Sequence, residues 1–189
     1  MVPTTLQEFS AADPRGVNLS GRATEGYDAG SLAADLVALM EALGHSRFAL
    51  IGHDVGMWIG YALAADHPER VARLAVAEAA IPGISPFPPL WAIACDPHAL
   101  HCAFECYRAI DQTVEQNIQR QQRRLRLPVL AIGGADGLGE AVAATMRLVA
   151  DDVTPVVLER CGRYVADEAA EGMLKAVEPF LAPYAAGAG

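Results

Sequence analysis

The sequence predicts an α/β fold, a mostly parallel sheet flanked by helices. Three observations predict it. Apolar runs of strand length alternate with helix-length amphipathic stretches, the order that parallel βα units produce. An acid, Asp54, stands between one such run and one such stretch in the segment Gly52-His53-Asp54-Val55-Gly56. Hydrophobic residues make up 52% of the chain, which supports a packed core and excludes a disordered chain.

The elements follow in order. A weak strand is expected near residues 8–12. The first helix is expected at 31–43, where Leu32, Leu36, Leu39, Met40 and Leu43 form one stripe and Gly44 ends it. Strands are expected at 48–53 (FALIGH), 72–78 (ARLAVAE), 129–134 (VLAIGG) and 153–159 (VTPVVLE). Further helices are expected at 57–67, at 98–124 as one or two pieces, at 139–150 and at 168–181. Pro179 should weaken the end of the last helix, and the tail AAGAG should fray. Between the second and third apolar strands lies an insert beginning IPGISPFPPLW, whose prolines bar regular structure. No internal repeat or low-complexity linker interrupts the chain, so residues 1–189 read as a single domain, with 80–128 as an insert between strands.

A formal charge of −9 argues against non-specific binding to nucleic acid or an anionic membrane, which needs a basic surface. The short basic run from Arg120 to Arg126 reads as a solvated helix face. Cys95, Cys102, Cys106 and Cys161 form no pair of C-x-x-C units, so reduced buried thiols are expected and no metal or other cofactor. The N-terminus lacks a basic start followed by an apolar stretch, and no apolar run reaches the length of a membrane span, so the expected location is cytoplasmic.

The Asp54 segment has the form G-x-nucleophile-x-G. A strand that reverses directly into a helix forces the central residue into a strained conformation and crowds the positions two before and two after it. Glycine at both places, Gly52 and Gly56, is expected to relieve that crowding. The central side chain then projects beside a helix N-terminus, where negative charge is stabilised. The plainer alternative is that Asp54 only caps the helix that follows.

With these residues in view, the chain resembles the α/β-hydrolase superfamily, and within it the epoxide hydrolase and dehalogenase branch, whose nucleophile is aspartate. The stretch GHDVGMWIGYALAADHPERVARLAVAEAAIPG carries much of the likeness. Asp13-Pro14-Arg15-Gly16 with Ser20-Gly21-Arg22 resembles the branch's D-x-R-G loop. Cys106-Tyr107-Arg108-Ala109 resembles its cap helix with an epoxide-polarising tyrosine. Residues 128–134 resemble the strand before the catalytic acid, and Arg160-Cys161-Gly162-Arg163-Tyr164 resembles the loop of the catalytic histidine. The resemblance implies Asp54 as nucleophile on a small apolar epoxide, Tyr107 as the group polarising the departing oxygen, and Asp136 as orienting acid. It also implies the Val55 backbone N–H as half of an oxyanion hole.

The chain departs from that pattern in three places. Arg163 stands where the histidine belongs, and arginine stays protonated to about pH 12, so it cannot act as a general base near neutrality. Paired with Asp54 or Asp136, it would block water activation, leaving an alkyl-enzyme ester that is formed but not cleared. The cap, residues 80–128, is short. No histidine-glycine loop occurs before residue 48, and one strand beside 48–53 is missing. An unpaired strand edge must be covered, so a rearranged front, a homodimer over that edge, or a shortened chain of limited stability is expected. Val55, where dehalogenases carry a halide-holding tryptophan, favours epoxide over halide chemistry. Three readings stay open: an active hydrolase, a non-catalytic homologue with a binding or accessory role, and a truncated gene product.

Overall fold

The computed structural model describes residues 9–84 and 105–185. Its backbone runs α1 (Ala29–Ala42), β1 (Phe48–His53), α2 (Val55–Asp66), β2 (Val71–Ala77), α3 (Ile110–Arg120), β3 (Val129–Gly134), α4 (Glu140–Arg147), β4 (Val153–Leu158), α5 (Val165–Glu168) and α6 (Ala170–Ala185). The four strands pair in the order β1-β2-β3-β4, all parallel. This is the α/β arrangement the sequence predicts, with each strand within a residue of its expected bounds.

Alternation along the strands divides the core into two layers. Leu74 and Val76 of β2 and Val129 and Ala131 of β3 face one layer, packed with Leu32, Met57, Tyr61, Leu63, Val142 and Met146. Ala75, Ala77, Leu130 and Ile132 face the other, packed with Leu158, Val165, Val177 and Leu181. Because both faces are covered, β3 is buried along its whole length, which is why parallel strands read as unbroken apolar runs. β1, at the sheet's edge, is buried less evenly, and Ile51 is 38% exposed.

Several expectations are corrected. Residues 9–12 form no strand; residue 8 lies outside the described residues. The stretch EFSAA offers one large apolar side chain, Phe9, and it is 73% exposed, so nothing buries a strand there. The first helix starts at Ala29 because Asp28 caps it, accepting from Ser31 N at 3.0 Å. The last helix divides into α5 and α6, and α6 runs through Pro179 and Pro183 to Ala185. Burial of Val177 and Leu181 against the second layer offsets the lost N–H and the ring crowding. Residues 98–104 of the expected helix lie outside the described residues, as do residues 85–97 of the insert; 105–108 are helical and α3 follows.

Polar side chains fasten α3 to the rest. Gln116 Nε2 donates to buried Asp28 at 2.7 Å, and Thr113 Oγ1 accepts from Ala29 N. Asn117 donates to the Pro82 carbonyl, and Arg120 holds Asp66 of α2. This fixes the helical turn that carries Tyr107. Among the described residues no helix is long and apolar enough to cross a membrane.

Candidate active site

Asp54 occupies the one residue between β1 and α2, with φ 54° and ψ −121°. That left-handed backbone is costly for a side chain other than glycine. The turn is tight on one side only. A Cβ at Gly52 would lie 2.2 Å from the Gly56 carbonyl oxygen, whereas a Cβ at Gly56 would meet nothing within 4 Å. The expected crowding at both glycines is therefore corrected: the backbone of Gly56 presses on position 52, and position 56 itself is open. Asp54 makes no side-chain cap to α2, so the plainer capping role is not the one it fills.

Its carboxylate instead meets Arg163, Oδ2 to Nη2, at 2.7 Å; the two side chains are 33% and 28% exposed. Partial burial draws the guanidinium pKa down, but the hydrogen bond and charge of Asp54, with smaller help from Tyr107 and Glu78, outweigh it and raise the pKa above the ordinary value. Arg163 is thus a fixed cation at any ordinary pH.

Tyr107 stands over α2, its ring edge-on to Trp58 with centroids 6.1 Å apart and planes at 89°. Trp58 is itself held by a 2.9 Å hydrogen bond from Nε1 to the Ala80 carbonyl. Burial raises the Tyr107 pKa, the negative charge of Asp54 raises it further, and Arg163 opposes both. The phenol therefore keeps its proton and is a hydrogen-bond donor. Val55 opens α2, a position whose N–H has no intrahelical acceptor.

Asp136 does not join this group. It is exposed, its backbone N–H donates to the Cys161 carbonyl at 2.9 Å, and no ion pair links it to Arg163. The acid that reaches inward is Glu78, 1% exposed, which sequence reasoning left inside a strand. Glu78 follows β2 with φ 51°. Its Oε1 accepts from Gly134 N at 2.6 Å, and Leu138 N donates at 3.0 Å to Oε2. The 134–138 loop is thus wrapped round the Glu78 carboxyl group, close enough that a Cβ at Gly137 would lie 2.6 Å from Oε2. With that space filled, Asp136 is turned to solvent. The signal was present: an acid directly after the apolar run Leu74–Ala77, on the strand next to β1.

His53, the residue before Asp54, places Nε2 2.8 Å from the Arg163 carbonyl. His98 and His101 lie outside the described residues. Among the described residues no group of three His, Cys, Asp or Glu side chains is arranged to hold a metal ion.

A parallel sheet with a strained acid at its carboxyl rim, between strand and helix, defines an α/β protein of hydrolase type. The chain belongs to the alpha/beta hydrolase fold family, whose match spans residues 7–126. It is 23% identical over 243 aligned positions to a soluble epoxide hydrolase of Corynebacterium sp. (strain C12), an alignment covering 97% of this chain and 84% of that one. Among solved structures it resembles Cfl2 from Burkholderia cenocepacia, at TM-score 0.79 and 25% identity over 89% of this chain and 76% of that one. It also resembles the epoxide hydrolase CorEH, at TM-score 0.72 and 21% identity over 91% and 81%; that likeness concerns the fold alone. The chain is thus a member of the α/β-hydrolase fold family that is similar, at low identity, to a soluble epoxide hydrolase.

Proposed function

We propose that Asp54 attacks a small apolar epoxide and is left as an ester that the protein clears poorly. The observation that carries this reading is the 2.7 Å contact between Asp54 and Arg163. In the first step an Asp54 oxygen bonds to an epoxide carbon while the ring C–O bond breaks. The electron pair goes to the ring oxygen, which takes the Tyr107 hydroxyl proton. Arg163 stands by with positive charge for the phenolate so formed.

The second step requires a base to take a proton from water, and a guanidinium held above its ordinary pKa cannot do so. Loss of a general base costs about 10²–10⁴-fold, enough to turn an intermediate into a lasting adduct. The backbone N–H of Val55 is available to the oxyanion of ester hydrolysis, and Glu78 is the buried acid nearest in role to the orienting group that Asp136 was expected to supply. A non-catalytic binding role is the second reading, favoured by the same ion pair, which occupies the attacking carboxylate.

The test compares consumption of a styrene-type epoxide, with diol release followed alongside, by the unaltered protein, Arg163→His and Asp54→Asn. The unaltered protein should stop near one equivalent, Arg163→His should continue past it, and Asp54→Asn should do neither. A folded Arg163→His protein no faster than the parent would show that position 163 is not where a base is needed.

A further inference from the structure

We infer that His53 and Glu168 are positioning residues that hold the backbone on both sides of Arg163, so that its guanidinium meets Asp54. Three successive residues of the loop are fastened by two side chains. Glu168 accepts from Gly162 N at 2.6 Å and from Tyr164 N at 2.9 Å. Between them, the Arg163 carbonyl lies 2.8 Å from His53 Nε2. A carbonyl only accepts, so His53 donates there through Nε2–H.

The loop has little room to move in the other direction. A Cβ at Gly134 would sit 2.1 Å from the Gly162 carbonyl oxygen, so the loop rests directly on the end of β3. It also leaves β4 through Arg160 at φ 51°, a strained entry that needs contacts on its far side to persist.

The placement of His53 gives these contacts their meaning. It is the chain neighbour of Asp54, so one strand end presents the carboxylate and anchors the backbone of its partner cation. Arginine gives up side-chain rotamer freedom when it is held in an ion pair, and fixing its main chain limits how much more must be lost. Glu168 lies in the four-residue helix α5 at the surface, and both backbone hydrogen bonds lower its pKa, so its carboxylate remains a charged acceptor at neutral pH. The Tyr164 ring, 6.4 Å from the His53 ring, flanks the contact.

The inference rests on the proposed chemistry only for its catalytic meaning, because the ion pair can be read without any substrate. The probe is the side-chain N–H resonance of Arg163 in ¹⁵N-labelled full-length protein, assigned by its loss in Arg163→Lys. Asp54→Asn sets the full displacement of that signal. His53→Leu and Glu168→Ala should each move it by at least roughly half as far, whereas His53→Gln, which keeps a donor, should leave it near its place, and Glu168→Gln, which keeps one of the two acceptor oxygens, should move it less than Glu168→Ala. If His53→Leu gives no cooperative melt, the two Glu168 variants carry the test. A signal unmoved in folded His53→Leu and Glu168→Ala would overturn the inference, as would equal displacement in the Gln variants. Failure of the epoxide chemistry would leave this readout intact, so the two ideas fail separately.

Discussion

Asp54 and Glu78 leave adjacent parallel strands side by side, one residue beyond the paired His53 and Ala77, each with left-handed backbone at φ 54° and 51°. The two acids have different fates. Asp54 is half-exposed and faces the cation of Arg163, while Glu78 is buried and takes up the backbone N–H groups of the loop after β3. One acid stands open at the rim in an ion pair and the other organises the loop beside it.

Glu78→Ala would leave the N–H groups of Gly134 and Leu138 without their acceptor in a buried place. At about 1–3 kcal/mol for an orphaned buried donor, a loss of about 2–4 kcal/mol is expected in chemical denaturation. Asp136→Ala, at an exposed position, should change stability by no more than about 0.5 kcal/mol. The reverse ranking would make Asp136, not Glu78, the acid that holds this loop together.

The two glycines of the turn should differ as sharply. Gly52→Ala drives a methyl into the Gly56 carbonyl, a backbone clash that costs about 1–3 kcal/mol or more. Gly56→Ala, with open space inside the first turn of α2, should be neutral or stabilise by up to about 1 kcal/mol. Thermal melts of the two variants check both.

Arg163→Met removes a pair whose members are each about one-third exposed or less buried than a core contact, so solvent screening limits its effect on folding to about 1 kcal/mol. Because the folded-state pKa of Arg163 is raised above its ordinary value by Asp54, its contribution is present throughout the neutral range and is lost only at extreme alkaline pH. Unfolding midpoints of the parent and Arg163→Met should therefore run parallel between pH 6 and 9.

Tyr61 supplies a measurable alkaline signature. It is fully buried in α2, and its hydroxyl has no hydrogen-bond partner among the described residues. Burial, with Arg120 opposing and Asp66 reinforcing, pushes its pKa from 10.0 up to about 12. The unfolded chain releases this proton near pH 10 and the folded chain only near 12, so stability present below pH 10 is lost as pH rises through that window. Two units correspond to at most about 3 kcal/mol. Tyr61→Phe should flatten the decline and, since no hydrogen bond is given up, leave neutral-pH stability within about 1 kcal/mol.

Much of the fold was legible because its strands are short apolar runs with helices between them. The run Phe48–Ile51 before an acid flanked by glycines marked the turn at Asp54, and an arginine at 163, where the resemblance implies a histidine, pointed to an ion pair with Asp54 or Asp136. What stayed hidden depended on contacts remote in sequence. Asp28 caps α1 while also taking a hydrogen bond from Gln116, so the helix starts earlier than its leucine stripe suggests. Asp136 sits in the loop where an acid is expected, yet Glu78 already fills the space inside that loop. His53 is the chain neighbour of Asp54, and its bond to the Arg163 carbonyl joins segments that no spacing rule connects.

The central claim is tested most directly by the mass of the intact protein over time after mixing with a styrene-type epoxide. A gain of one epoxide mass that appears, persists after excess reagent is removed, maps to Asp54 and is absent from Asp54→Asn is the predicted result. A folded protein that gains no mass, or one whose gain is unchanged in Asp54→Asn, would contradict it.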